Sequence, residues 1–125
     1  MAKILVIDDS KLMRSMWRAH LEEAGFEVDD FLPNSADEVI ERVNRFLPDL
    51  ILSDFNMPKI NGYNVARAAR HSNPKIIIII LTATRDNAMD AMLKSIGVRK
   101  IIYKPIQGED LVATVTGVLE SHQKR

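Results

Sequence analysis

The sequence has 125 residues, 46% hydrophobic and 27% charged, which is the mix of one ordinary folded domain and excludes a disordered chain. Seventeen basic residues balance seventeen acidic ones, so the net charge gives no support to non-specific binding along nucleic-acid phosphates. The absence of cysteine excludes disulfides, thiolate zinc sites, iron–sulfur clusters and cysteine nucleophiles.

Ile4-Leu5-Val6-Ile7 is a β-branched run that stops at Asp8-Asp9, acids too early for a signal peptide. Met13, Met16, Trp17, His20, Leu21 and Ala24 follow at helical spacing, with Gly25 as the stop. Val28 to Phe31, interrupted by Asp29 and Asp30, predicts a short edge strand. Ser35-x-x-Glu38 predicts a capping box ahead of Val39, Ile40, Val43 and Phe46, and Pro48 closes that segment. Leu50-Ile51-Leu52 leads to Ser53-Asp54. Val65, Ala66 and Ala69 mark a third helix, ended by Asn73-Pro74.

Ile76 to Leu81 leads to Thr82, and Ala88, Met89, Met92, Leu93 and Ile96 mark a fourth helix ended by Gly97. Ile101-Ile102-Tyr103 ends at Lys104-Pro105. The last helix, from about Gly108 to Leu119, sets Leu111, Val112, Val115, Val118 and Leu119 on one face. Its Val, Thr and Gly117 content makes it the poorest helix former of the five. Strand runs apolar on both faces, alternating with helices, predict an α/β domain over residues 1–125 with a covered parallel sheet and right-handed crossovers. No apolar run reaches the roughly 18 residues of a membrane span, and the expected location is the cytoplasm.

Polar residues that a strand core does not choose collect at the C-terminal ends of four strands: Asp8 and Asp9, Asp54, Thr82 and Lys104. Ligands of open parallel sheets bind outside those ends. Taken singly, each is an ordinary turn former, helix cap or strand end; together they predict one shared site. Two carboxylates about 4 Å apart repel by roughly 4 kcal/mol at an effective dielectric of 20. Lys104 supplies one positive charge and a hard divalent cation the rest. Oxygen-only ligands suit Mg²⁺, or Mn²⁺, better than zinc or copper.

These residues resemble the receiver domain of two-component response regulators. Asp8-Asp9 is similar to the family's acidic pair. Asp54-Phe-Asn-Met-Pro-Lys-Ile-Asn-Gly62 resembles its phosphoacceptor loop, Asp-x-x-Met-Pro-x-x-Asp/Asn-Gly. Thr82-Ala83 and Lys104-Pro105, with Gly97 seven residues before the lysine, complete the pattern over essentially the whole chain. The resemblance implies a flavodoxin-like doubly wound sheet of order 2-1-3-4-5 and a cis peptide before Pro105. It implies that Asp54 takes a phosphoryl group from a histidine kinase or phosphotransfer protein. Mg²⁺ would be held by Asp9, Asp54 and the backbone carbonyl of Asn56, with Asp8 acting through a water. Lys104 would pair with phosphoryl or carboxylate oxygens, and Thr82 would hydrogen-bond a phosphoryl oxygen. The domain would catalyse only its own phosphorylation and dephosphorylation and act through a downstream effector protein, as a monomer or weak dimer, with no direct nucleic-acid or membrane partner.

One departure concerns the aromatic that many receivers carry three residues before the lysine. Ile101 holds that position here, and on strand alternation Tyr103 is expected not to be its equivalent. Any output at the fourth helix, fifth strand and fifth helix is therefore expected to rely on Thr82 and repacking around Ile101.

His20, His71 and His122 have no acid or serine at a motif spacing, so the phosphodonor is expected on another protein. Trp17 and the methionines are expected in the core or at its edge, and Arg14, Arg18, Arg99 and Lys100 in solvent. Leu12 falls off the apolar face of the first helix and is a candidate kinase-docking residue. Two alternatives compete. An adaptor that docks without phosphorylation would lose an acid or the lysine, and all are kept. A hydrolase with an Asp nucleophile wants a second acid two residues after Asp54, where Asn56 stands. No glycine-rich phosphate loop is present.

Overall fold

In the computed structural model, which describes residues 1–123, each predicted run takes its expected form. The strands are β1 (Lys3–Ile7), β2 (Glu27–Phe31), β3 (Leu50–Asp54), β4 (Ile77–Thr82) and β5 (Lys100–Tyr103). They alternate with α1 (Lys11–Glu23), α2 (Ala36–Phe46), α3 (Gly62–Ser72), α4 (Asn87–Ser95) and α5 (Gly108–Gln123). All pairings are parallel, in the order β2-β1-β3-β4-β5. The chain reverses its direction of travel across the sheet between β1 and β3, which defines the switch point.

Strand alternation divides the interior in two. Leu5, Ile7, Ile51, Ile78 and Ile80 face one side with Val39, Val43, Val65, Ala69 and Leu93 from α2, α3 and α4. Ile4, Val6, Leu50, Leu52, Ile79 and Leu81 face the other with Trp17, Leu21, Leu111, Val115 and Leu119 from α1 and α5. The central strands β3 and β4 are buried throughout, and they are apolar up to Ser53-Asp54 in the one and Thr82 in the other. Burial of Leu111, Val115 and Leu119 explains why α5 forms despite Gly117. That helix runs on through His122, beyond the expected end at Leu119.

Several local expectations are corrected. Ser35 Oγ accepts the Glu38 N–H at 3.3 Å, but the Glu38 carboxylate accepts from Asn34 N at 3.1 Å instead of closing a box onto Ser35. The closed box belongs to α3, where Asn61 and Asn64 accept each other's backbone N–H groups. Leu47, left-handed at φ 55°, terminates α2 before Pro48 is reached. Met16 and Met92 are solvent-exposed, because each lies beside the stripe that buries Trp17, Leu21 and Leu93. Arg14, expected in solvent, is drawn in by Asp30 at 3.1 Å; Arg18 pairs with the same acid at 3.0 Å but stays 41% exposed, and Arg42 pairs with Asp29 at 2.9 Å.

Candidate functional site

Every predicted site residue reaches the same rim of the sheet. The register sets Ile7 beside Ser53, Asp54 beside Leu81 and Thr82 beside Tyr103, so β1, β3, β4 and β5 end side by side. Asp8 follows β1 directly and is 2% exposed. Its Oδ1 accepts the Ser10 N–H at 2.9 Å, while its buried Oδ2 has no hydrogen-bond partner. Ser10 caps α1 in turn by accepting the Met13 N–H. Asp9 is exposed at the mouth.

Asp54, the last residue of β3, is 6% exposed. Oxygens of Asp8, Asp9 and Asp54 lie within 4.8 Å of one another. Lys104 Nζ donates to Asp54 Oδ1 at 2.8 Å. The Lys104 backbone N–H is fixed on Thr82 O at 2.8 Å, and the Lys104–Pro105 bond is cis, as the resemblance implied. Thr82 is buried, its Oγ1 accepting the Thr84 N–H at 3.2 Å and donating to Thr84 O at 3.4 Å. A recess of about 140 Å³ opens beside it, bounded by Phe55, Asn56 and Met89 among others.

Asn56 lies in the loop after β3. Phe55 anchors that loop, its N–H donating to Leu81 O and its carbonyl accepting the Gly62 N–H, both at 2.8 Å. The glycine is needed there: a Cβ at position 62 would sit 3.0 Å from Phe55 Cα and 3.2 Å from Ile80 Cδ1.

Burial dominates the electrostatics. It raises the Asp8 carboxyl to about 6, opposed by the Ser10 N–H and reinforced by the charge of Asp54. Asp54 is likewise raised by burial, with the Lys104 ammonium pulling it back down. Three acids against one ammonium leave an excess of negative charge. The orphaned, buried Asp8 Oδ2 and the all-oxygen donor set fit a hard divalent cation of the Mg²⁺ class.

The expectation for Tyr103 is corrected. Positions 101 and 103 are two apart and share a face of β5. Ile101 packs into the core on the α4 side. The Tyr103 hydroxyl donates to Asp90 of α4, and the Arg85 guanidinium stacks 4.0 Å from its ring centroid. The Asp90 hydrogen bond, chiefly, holds the Tyr103 phenol above its usual range.

Sequence reasoning missed Arg14, whose Nη1 donates to the Asp8 carbonyl at 2.7 Å. No periodicity signals such a contact. Of the histidines, His20 is half-buried against Gly108, His71 is exposed on α3, and His122 lines the opposite rim with Asp49 and Lys75. None joins the site.

A family model described as the response regulator receiver domain matches residues 4–116. The chain is 28% identical over 116 residues to the chemotaxis protein CheY of Thermotoga maritima, covering 93% of this chain and 96% of that protein. It is 31% identical over 119 residues to the phosphate regulon transcriptional regulatory protein PhoB of Rhizobium meliloti, where 94% of this chain spans 52% of the relative's length. A crystal structure of a CheY-like response regulator receiver domain from Methanospirillum hungatei superposes with a TM-score of 0.89 at 22% identity, covering 99% of this chain and 98% of that one. That last likeness bears on the fold.

Proposed function

Since the chain belongs to the response regulator receiver domain family, a class of phosphoacceptor signalling domains, we propose that Asp54 accepts a phosphoryl group from a phosphohistidine on a histidine kinase or phosphotransfer protein. The observation that carries this reading is the convergence of Asp8, Asp9 and Asp54 within 4.8 Å, with Lys104 Nζ 2.8 Å from Asp54 Oδ1. One Asp54 carboxylate oxygen forms the new O–P bond, and the other would stay with the cation. The donor's N–P bond breaks, and its electron pair stays on the imidazole nitrogen. The product is an acyl phosphate on Asp54.

Asp9, Asp54 and the Asn56 carbonyl would hold Mg²⁺, or Mn²⁺ in its place, with Asp8 acting through a water. Bound there, the cation screens the charge that otherwise repels an anionic phosphoryl group. Lys104 neutralises a second share. Thr82 would turn its hydroxyl from Thr84 to a phosphoryl oxygen, releasing the loop that leads into α4. Added charge near −2 then biases the partner-binding surface of α4, β5 and α5. Hydrolysis of the acyl phosphate at the same site returns the domain to rest.

Leu12, 69% exposed at the start of α1, would meet the kinase. The effector would be another protein, with the domain a monomer or weak dimer. Among the described residues no helix is long and apolar enough to cross a membrane; with no cysteine in the sequence, the cytoplasm is the proposed location. The two hydrophobic cores share one sheet, which supports residues 1–125 as a single receiver domain.

Incubation with Mg²⁺ and acetyl phosphate, followed by intact mass measurement, tests the reading. A phosphate adduct is expected on the wild type and none on Asp54→Ala. No adduct on the wild type, or an undiminished one on the variant, would overturn it.

A further inference from the structure

Among the described residues, Arg14 is the one side chain that ties the acidic turn to the edge strand of the sheet by hydrogen bonds on both. Its Nη1 donates to the Asp8 carbonyl at 2.7 Å and its Nε to Asp30 Oδ1 at 3.1 Å. The side chain is 15% exposed. Asp30 lies within the ladder opposite Val6, and Asp8 is the residue just past its end at Ile7, so Arg14 links the paired strands to the turn that follows them. A planar guanidinium suits the task, because its fixed donors meet a carbonyl and a carboxylate together.

We propose that Arg14 is a positioning residue for the cation site, setting the aim of the Asp8 and Asp9 carboxylates through the peptide that joins them. The proposal rests on the cation-dependent reading above and adds a residue to it. The carbonyl that Arg14 holds belongs to the rigid plane linking Asp8 to Asp9. Its direction fixes ψ of Asp8 and φ of Asp9, so both side chains leave the backbone along set vectors. The Ser10 N–H holds Asp8 Oδ1, leaving the buried Oδ2 unpartnered. Asp9 is exposed at the mouth, so the peptide that joins it to Asp8 is what sets its direction.

Charge supports the assignment. A guanidinium beside a cation site is tolerable only if its charge is engaged elsewhere, and Asp30 engages it. Asp30 is shared with Arg18, whose Nη1 donates to Oδ2 at 3.0 Å, but Arg18 makes no bond to the acidic turn. Arg18 therefore provides the control: same helix, same carboxylate, no grip on Asp8.

Calorimetric titration of the metal-free protein with MgCl₂ and, separately, CaCl₂ tests this. Mg²⁺ demands near-ideal octahedral geometry and Ca²⁺ tolerates irregular ligands. Misaimed carboxylates thus lose Mg²⁺ selectively, which simple loss of stability does not produce. Arg14→Ala is expected to weaken Mg²⁺ about tenfold and Ca²⁺ by less than about threefold. Arg18→Ala should leave both within about twofold of the wild type, and Arg14→Lys should recover part of the Mg²⁺ loss. Equal losses of the two ions in Arg14→Ala, no loss, or the same selective loss in Arg18→Ala would overturn the proposal while leaving the cation site standing. A wild type that binds neither ion would overturn the underlying reading and this proposal with it.

Discussion

Lys104 Nζ meets Asp54 Oδ1 at 2.8 Å although the two residues are separated by 50 positions and by an intervening strand. The reach is set by β4. Its last residue, Thr82, accepts the Lys104 backbone N–H, so the lysine leaves the sheet over Thr82 and arrives at Asp54. Replacing Lys104 with Met keeps the length of the side chain and removes the ammonium. Phosphoryl acceptance from acetyl phosphate should slow about 100-fold, the usual scale for deleting one charged donor at a reacting centre. A time course of intact masses checks this, and a rate within a few-fold of the wild type would show the ammonium to be idle.

The acidic turn carries a stability cost that depends on pH. In the folded protein Asp8 titrates near 6, above its ordinary 3.8, so between those values the native state binds more protons than the unfolded chain. The stability that comes with the protonated carboxyl is full below pH 3.8 and is lost as pH rises through 6. At neutral pH the ionised carboxylate thus destabilises the metal-free fold, by about 3 kcal/mol at most. Asp8→Asn keeps an oxygen for the Ser10 N–H and removes the charge. It should raise the melting temperature relative to the wild type at pH 7 and lose that advantage by pH 3.5. Saturating Mg²⁺ should shrink the difference at pH 7. Thermal unfolding of both proteins over this range, with and without the ion, is the measurement.

The legible parts of this molecule were those where burial leaves little choice. In β3 and β4 both faces are covered, so the polar ends, Ser53-Asp54 and Thr82, stand out against the apolar runs before them. Arg14 was invisible because helical spacing placed it off the apolar stripe, and its partners are a carbonyl and an acid on another strand. Spacing also counted Met16 and Met92 as core, since a period of 3.6 does not separate a stripe from its flank. Glu38 shows the limit at a single bond: the motif was present, yet the carboxylate chose the N–H one residue earlier. Tyr103 failed on parity, because two residues along a strand return to the same face.

Tyr103 yields its own prediction. The Asp90 carboxylate accepts its hydroxyl and is the main reason its phenol resists ionisation, with Arg85 opposing from the ring face. Asp90→Ala should lower the Tyr103 pKa, and Arg85→Ala should raise it. Absorbance titration in a Tyr63→Phe background leaves Tyr103 as the one tyrosine and reads the shift directly. A pKa that does not respond to Asp90→Ala would show that the α4–β5 clasp is not formed in solution.

Two glycines separate a structural requirement from mere tolerance. At position 62 an added Cβ meets backbone, 3.0 Å from Phe55 Cα, in the loop that carries Asn56. Gly62→Ala should destabilise the fold by about 1–3 kcal/mol, the ordinary range for overpacking. Because Phe55 must shift, it should also weaken Mg²⁺ binding. At position 117, inside α5, an added Cβ meets nothing within 4 Å. Gly117→Ala should stabilise by about 1 kcal/mol through helix propensity alone and leave Mg²⁺ affinity unchanged. Urea unfolding followed by the fluorescence of Trp17, buried and the sole tryptophan, measures both. Opposite signs from the same chemical change would locate the constraint in the loop after β3. Equal destabilisation would mean that α5 needs its glycine for a reason other than packing.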